Sequence, residues 1–216
     1  MTLMKRTNIL FTTTLFIFIS CLGFSKKEEN VQKTYVPSQN TKVAYFASGC
    51  FWCVEAIFES VNGVEEAVSG YAGGHTANPT YESTGTGNTG HAETVAVYYN
   101  PKIVSFETLL KVYYGSHNPT TKNGQHPDYG SQYRSIVFYS NNDEKATIDA
   151  MIFRLNKEVY DGKVATEVQK FTKFFKAEEY HQNFEKRNPN QPYVMSVSVP
   201  RLNRFKNKFP EFLIKE

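Results

Sequence analysis

Two cysteines, Cys50 and Cys53, stand in the run Gly49-Cys50-Phe51-Trp52-Cys53, and once the first 25 residues are set aside they are the only thiols in the chain. The run lies where a strand-forming stretch gives way to a helix-forming one. That places the first sulfur at the positive end of a helix dipole, beside unsatisfied backbone N–H groups that favour thiolate. Cys50 is therefore a candidate nucleophile, with a structural disulfide or a buried apolar thiol as the plainer readings. Zinc is disfavoured, because the five histidines supply no second half at ligand spacing. Side chains three apart on a helix hold their Cβ atoms about 5–6 Å apart, whereas a disulfide needs about 3.5–4.5 Å. A bond between Cys50 and Cys53 thus requires local unwinding, which is tolerable if Cys50 sits at the cap.

A carboxylate and several phenols are the other groups fit for proton work. In the strand-like run of residues 92–99 (AETVAVYY), period two puts Glu93 on the face that also carries Val95, Val97 and Tyr99. An acid at the end of a buried face keeps its proton and can give it to a developing oxyanion. A rim Glu paired with a base is the alternative. Asp128 and Tyr133 flank a Gly130 turn ahead of another strand-like run, and Tyr81 lies in a Gly-rich stretch. A phenol donates to an oxygen or simply fills a core, and with 14 tyrosines in the chain the second use is the commoner one.

The elements that must position these residues alternate along the chain. Residues 42–48 read as a strand ended by Gly49, and residues 51–60 as a helix with Phe51, Val54 and Phe58 on one face. Further strands are expected over 64–71, 92–99 and 133–140, with a short one over 164–169. Further helices are expected over 105–116, where Ser105 is a plausible cap, over 142–160, and over 177–186. Too few crossovers are clean βαβ units for a doubly wound sheet. The expectation is an α+β two-layer sandwich, a ferredoxin-like plait with a mainly antiparallel sheet and extra loops and helices. Six glycines fall within residues 70–90, a long loop in which residues 85–90 spell GxGxxG. No strand precedes that motif and no helix follows it, so dinucleotide binding is set aside.

With 216 residues, 40% of them hydrophobic and 21% charged, the chain is a globular one with a single main domain. Residues 1–25 hold Lys5 and Arg6, an apolar run over 9–24 and no acid, and then give way to a polar stretch. They read as a secretory signal. Cleavage after Ser25, lipidation of Cys21 at a relaxed lipobox over residues 18–21, and an uncleaved anchor all remain open. Residues 26–40 are expected to be a flexible linker and 41–216 the catalytic domain, working outside the cytoplasm in the periplasm or cell envelope. Without the leader, 22 basic residues face 21 acidic ones, which argues against nucleic acid as a partner.

The run Gly49-Cys50-Phe51-Trp52, followed in order by Gly90-His91-Ala92-Glu93 and Gln132-Tyr133-Arg134-Ser135, resembles the A-type peptide methionine sulfoxide reductases. Ser69-Gly70-Tyr71-Ala72-Gly73-Gly74, Asn118-Pro119-Thr120 and Glu179-Tyr180-His181-Gln182 extend the likeness over residues 43–184. The resemblance implies reduction of the S epimer of methionine sulfoxide, free or in proteins, with no metal or bound cofactor. It also implies residue roles. Cys50 would attack the sulfoxide sulfur, and Glu93 would protonate its oxygen, shared with Tyr81 and Tyr133. Phe51 and Trp52 would hold the S-methyl group, and Asp128 would position the site. Much of the family keeps its resolving cysteine in the C-terminal segment, where residues 193–216 here have none. Cys53 is then the expected partner in a disulfide with Cys50, recycled by an external thioredoxin-like thiol; direct reduction of the Cys50 sulfenic acid by such a thiol is the other route. A monomer is expected. The basic stretch 201–208 reads as solvated surface, or else as a cover or docking face.

Two other functions compete on the residues alone. A thioredoxin-like thiol-disulfide oxidoreductase also starts a helix with CxxC, but leaves Glu93 without a task. A binding module with a structural Cys50–Cys53 bridge would lose stability rather than activity on removal of Cys50.

Overall fold

The computed structural model of the chain describes residues 35–215. The expected leader, with its candidate lipid site at Cys21, and most of the expected linker lie outside the described residues.

Strand β1 (Lys42–Ser48) leads through Gly49 into helix α1 (Phe51–Glu59), then β2 (Val64–Ala72), the short helix α2 (Tyr81–Gly85) and β3 (Ala92–Tyr99). Helix α3 (Phe106–Gly115) follows, then a small hairpin of β4 (Gly124–Gln125) and β5 (Asp128–Tyr129), β6 (Ser135–Tyr139) and the long helix α4 (Asn142–Glu158). The chain ends through β7 (Glu167–Lys170), β8 (Phe174–Lys176), α5 (Phe184–Arg187), a π turn (Val194–Ser198) and α6 (Val199–Lys208).

Six strands form one sheet in the order β7-β6-β1-β3-β2-β8, antiparallel throughout except for the parallel β6–β7 edge pair. Two strand–helix–strand crossovers, β1-α1-β2 and β3-α3-β6, are interleaved so that each pair of parallel strands has one strand of the other unit between them. The α+β expectation is thereby met. Phe46, Val95 and Val97 of the sheet meet Ile57 and Phe58 of α1, Leu109 and Tyr113 of α3, Ile148 of α4 and Phe205 of α6 in the main core. The opposite face carries smaller residues, Ala47, Ala72, Ala92 and Ile136, covered by Phe171 and Phe174. Phe171 stacks on Tyr45 at a centroid distance of 3.8 Å.

Local chemistry explains the helix starts. Ser105 accepts from the Thr108 N–H at 3.0 Å, and Asn141 from that of Glu144 at 2.9 Å, each capping a helix. Three expectations need correction. The strand expected from Tyr133 begins at Ser135, because Ser131–Tyr133 forms a 3-10 turn that lifts Tyr133 out of the sheet. The helix expected over 177–186 is broken at Asn183, whose φ is 52°. There the Asn183 N–H bonds to Glu55 Oε1 at 2.7 Å and the Gln182 side chain bonds Ser69, so tertiary hydrogen bonds override local propensity. The Gly-rich stretch is also no simple loop. Its first residues complete β2, and His91 ties down the rest by accepting from the Gly74 N–H and bonding the Thr76 carbonyl. A Cβ on Gly74 would lie 2.3 Å from the His91 nitrogen, so only glycine permits that approach.

Candidate active site

Cys50 is the N-cap residue of α1, with φ −52° and ψ 123°, so it lies outside the helical turn that Cys53 belongs to. The turn that delivers it depends on Gly49, whose φ of +90° suits only glycine without strain. Cys50, Phe51, Trp52, Tyr81, Glu93, Asp128 and Tyr133 line a single cavity of about 210 Å³. Cys53 alone among the expected residues stands behind this wall, 1% exposed. Both thiols are free.

Glu93 enters from the end of β3 on the helix-facing side, as period two requires. Its Oε2 accepts the Phe51 backbone N–H at 2.9 Å, which fixes the carboxyl at the N-terminus of α1 beside Cys50. Burial raises its pKa to about 8, against the opposing pull of that hydrogen bond, with Asp128 and Cys53 adding to the rise. The group therefore holds its proton at neutral pH.

The phenols hold theirs more firmly. Tyr81 is pushed to about 12 by burial and by Glu93, and Tyr133 is raised by the same two causes. Tyr81 is placed by its backbone N–H, which donates to Glu178 Oε1 at 2.9 Å, and Tyr133 by the 3-10 turn. Arg134 links the two loops: its guanidinium donates to the Ser131 and Gly90 carbonyls at 2.8 and 2.9 Å and pairs with Glu167.

Phe51 and Trp52 form the apolar side. Trp52 stacks on Phe184 at a 3.7 Å centroid distance, and its indole N–H donates to His181 Nδ1 at 3.1 Å. That bond leaves the His181 proton on Nε2, 3.9 Å from Glu178 Oε2. Asp128 accepts a short hydrogen bond from the Tyr193 hydroxyl, and burial raises its pKa despite this bond and the nearby Arg201.

The two thiols titrate as a pair, differently from the expectation of a Cys50 thiolate at the helix end. Burial first, and then Cys53, Glu93 and Asp128, push Cys50 well above the ordinary thiol range. The neighbouring Cys50 thiol draws the second thiol down, helped by the Arg201 charge and the Ser198 hydroxyl. The low-dielectric surroundings outweigh the dipole at Cys50.

Four neighbours escaped the sequence reading. Gln191 and Tyr193 complete the cavity wall, and Ser198 and Arg201 flank Cys53. The stretch 201–208 is not merely solvated surface: Phe205 is 2% exposed in the core, and Arg201 is turned inward. Apolar Val194, Leu202, Phe205 and Phe209 at near-helical spacing were the available signal.

A buried thiol pair beside a protonated carboxyl in a small aromatic cavity is the equipment of a thiol-based oxidoreductase. Residues 42–213 match the family model described as "Peptide methionine sulfoxide reductase", and the chain belongs to that family. It is 44% identical over 172 residues to peptide methionine sulfoxide reductase MsrA of Natronomonas pharaonis, covering 79% of this chain and 97% of that one. The MsrA of Ruthia magnifica is 44% identical over 77% of this chain and 99% of its own. Among solved structures, methionine sulfoxide reductase A of Corynebacterium diphtheriae superposes with a TM-score of 0.67 at 31% identity, over 74% of this chain and 81% of that one. Reduced Mxr1 of Saccharomyces cerevisiae gives 0.66 at 32% identity, over 73% and 92%. The thioredoxin-like alternative is not favoured.

Proposed function

We propose that the chain reduces the S epimer of methionine sulfoxide, free or in proteins, to methionine, with Cys50 as nucleophile and Glu93 as acid. The observation that carries this is the buried Glu93 carboxyl, held by the Phe51 N–H in the same cavity as the Cys50 thiol. The names of the relatives point to the same reaction.

Phe51 and Trp52 receive the substrate methyl group, while Tyr81, Tyr133 and Glu93 surround its oxygen. Glu93 donates its proton to that oxygen as the Cys50 sulfur attacks the sulfoxide sulfur. The S–O bond to methionine breaks and oxygen passes to Cys50. The thiol proton released in the attack replaces the one Glu93 gave. Methionine leaves two electrons richer, and Cys50 is left as a sulfenic acid. Cys53 then closes a disulfide on Cys50 with loss of water, and an external thioredoxin-like dithiol reopens it. Asp128, anchored by Tyr193, positions the wall facing Cys50. The pattern of residues 1–25 supports work in the cell envelope on oxidised proteins, with the chain released or held by a lipid on Cys21 or an uncleaved anchor.

The test is dithiothreitol-driven reduction of the two epimers of a methionine sulfoxide peptide by the purified protein. Methionine is expected from the S epimer alone and to vanish in Cys50→Ser. Equal turnover of both epimers, or full activity in Cys50→Ser, would overturn the reading.

A further inference from the structure

Cys53 is 1% exposed, and burial alone would keep such a thiol protonated and unreactive. One group from the C-terminal segment touches it, and the charge of a second acts on it. Ser198 is fully buried, and its Oγ lies 3.1 Å from the Cys53 sulfur. It closes the π turn Val194–Ser198, an irregularity that recurs at functional sites because the extra residue re-aims a side chain. Nearly one turn later stands Arg201. Its guanidinium donates to the Ser48 and Ser116 carbonyls at 2.9 Å each, which pins the cation behind the Gly49-Cys50 turn. Among the described residues no carboxylate forms an ion pair with Arg201, so its charge is available to a nearby anion.

We propose that Ser198 and Arg201 activate Cys53, the hydroxyl by donating to its sulfur and the guanidinium by stabilising the thiolate, so that Cys53 attacks the Cys50 sulfenic acid. This rests on the reductase reading above. In the step, a Cys53 thiolate lone pair forms the S–S bond and the Cys50 S–O bond breaks. The departing hydroxide takes the Glu93 proton and leaves as water. The electrons that later reopen the disulfide come from the external dithiol. Ser198 touches a reacting atom; Arg201 is a positioning residue acting through its charge.

The other groups around Cys53 fit this assignment. Ser198 is the hydrogen-bond partner of its sulfur, the neighbouring Cys50 thiol, Arg201 and Ser198 favour its anion, and Asp128 on β5 opposes it. Glu93 on β3, Glu185 on α5 and Tyr193 before the π turn also face it, each raised mainly by burial. Among these described neighbours Arg201 is the one cation. It also gives residues 198–201, which hold no cysteine, a part in resolution.

The test is a rapid-quench single turnover on an S-sulfoxide peptide without reductant, from about pH 5 to 9. Methionine, the disulfide and the dimedone-trapped sulfenic acid are followed separately in wild type, Ser198→Ala, Arg201→Gln and Arg201→Lys. Ser198→Ala removes a single oxygen atom, so folding is not at stake. In Ser198→Ala and Arg201→Gln, disulfide closure is expected to lag methionine formation about tenfold more than in wild type, through loss of a charge-assisted hydrogen bond in the first and of the stabilising cation in the second. Sulfenic acid is trapped and the pH midpoint of closure moves up. Arg201→Lys keeps the charge and restores most of the closure rate, as a purely structural arginine would not allow. Closure unchanged in rate and midpoint in both variants overturns the inference. A wild type that yields methionine but no Cys50–Cys53 disulfide also overturns it, leaving the reductase reading intact, whereas a wild type that yields no methionine removes that reading as well.

Discussion

Glu93 keeps its proton at neutral pH because burial disfavours its charged form, and the Phe51 N–H holds it where an oxygen beside Cys50 would need that proton. Turnover on the S-sulfoxide should therefore fall as pH rises through about 8, where the carboxyl ionises, in a steady-state pH profile. Glu93→Gln keeps an acceptor for the Phe51 N–H but has no acid proton. Its turnover should drop by about 10²–10⁴, the usual worth of a positioned general acid, with an unchanged circular dichroism spectrum. The position of Glu93 on the buried face was legible in the sequence, since parity along β3 requires nothing more than alternation. Cys50 at the cap was equally legible. The Cys50–Cys53 proton balance was not, because it depends on Ser198 and Arg201, which lie 145 and 148 positions from Cys53 along the chain.

At the scale of elements, the turn between β1 and α1 carries the site. Gly49 has a φ of +90°, and a Cβ there would lie 2.8 Å from the Gln125 Cβ. Gly49→Ala should cost about 1–3 kcal/mol from the backbone alone, read as a lowered denaturation midpoint, and should reduce methionine formation by tilting Cys50 away from Glu93. The regular elements were readable from their residues: β1 and β3 fall where alternation and strand formers put them, and α3 starts at its Ser105 cap. The irregular ones were not. Strand β8 is three residues long and exists because Gly70 lets Phe174 and Phe175 approach β2. The break at Asn183 exists because Glu55 and Ser69 outbid the helix for hydrogen bonds. Nothing local distinguishes either from its neighbours.

Across the whole molecule, two buried acids make stability depend on pH. Glu55 and Glu93 are each raised by burial from 4.5 to about 8. Between those values the folded state keeps protons that the unfolded chain releases, so the share of stability these two groups contribute falls as pH rises from about 4.5 and levels off above about 8. Each contributes on the order of a few kcal/mol. Glu93→Gln removes its share of that fall and should melt above wild type at pH 8 in calorimetry while being far less active, a trade of stability for function. The same separation of protonation states is what the chemistry needs: a neutral acid facing the substrate oxygen, and a sulfur of lower pKa behind the nucleophile. The most direct test of that design is the intact mass of the protein after one turnover on an S-sulfoxide peptide without reductant, with the methionine counted. The expected result is one methionine per chain and a protein lighter by two hydrogens, with Cys53→Ser instead heavier by one oxygen. An unchanged mass with no methionine formed would contradict it.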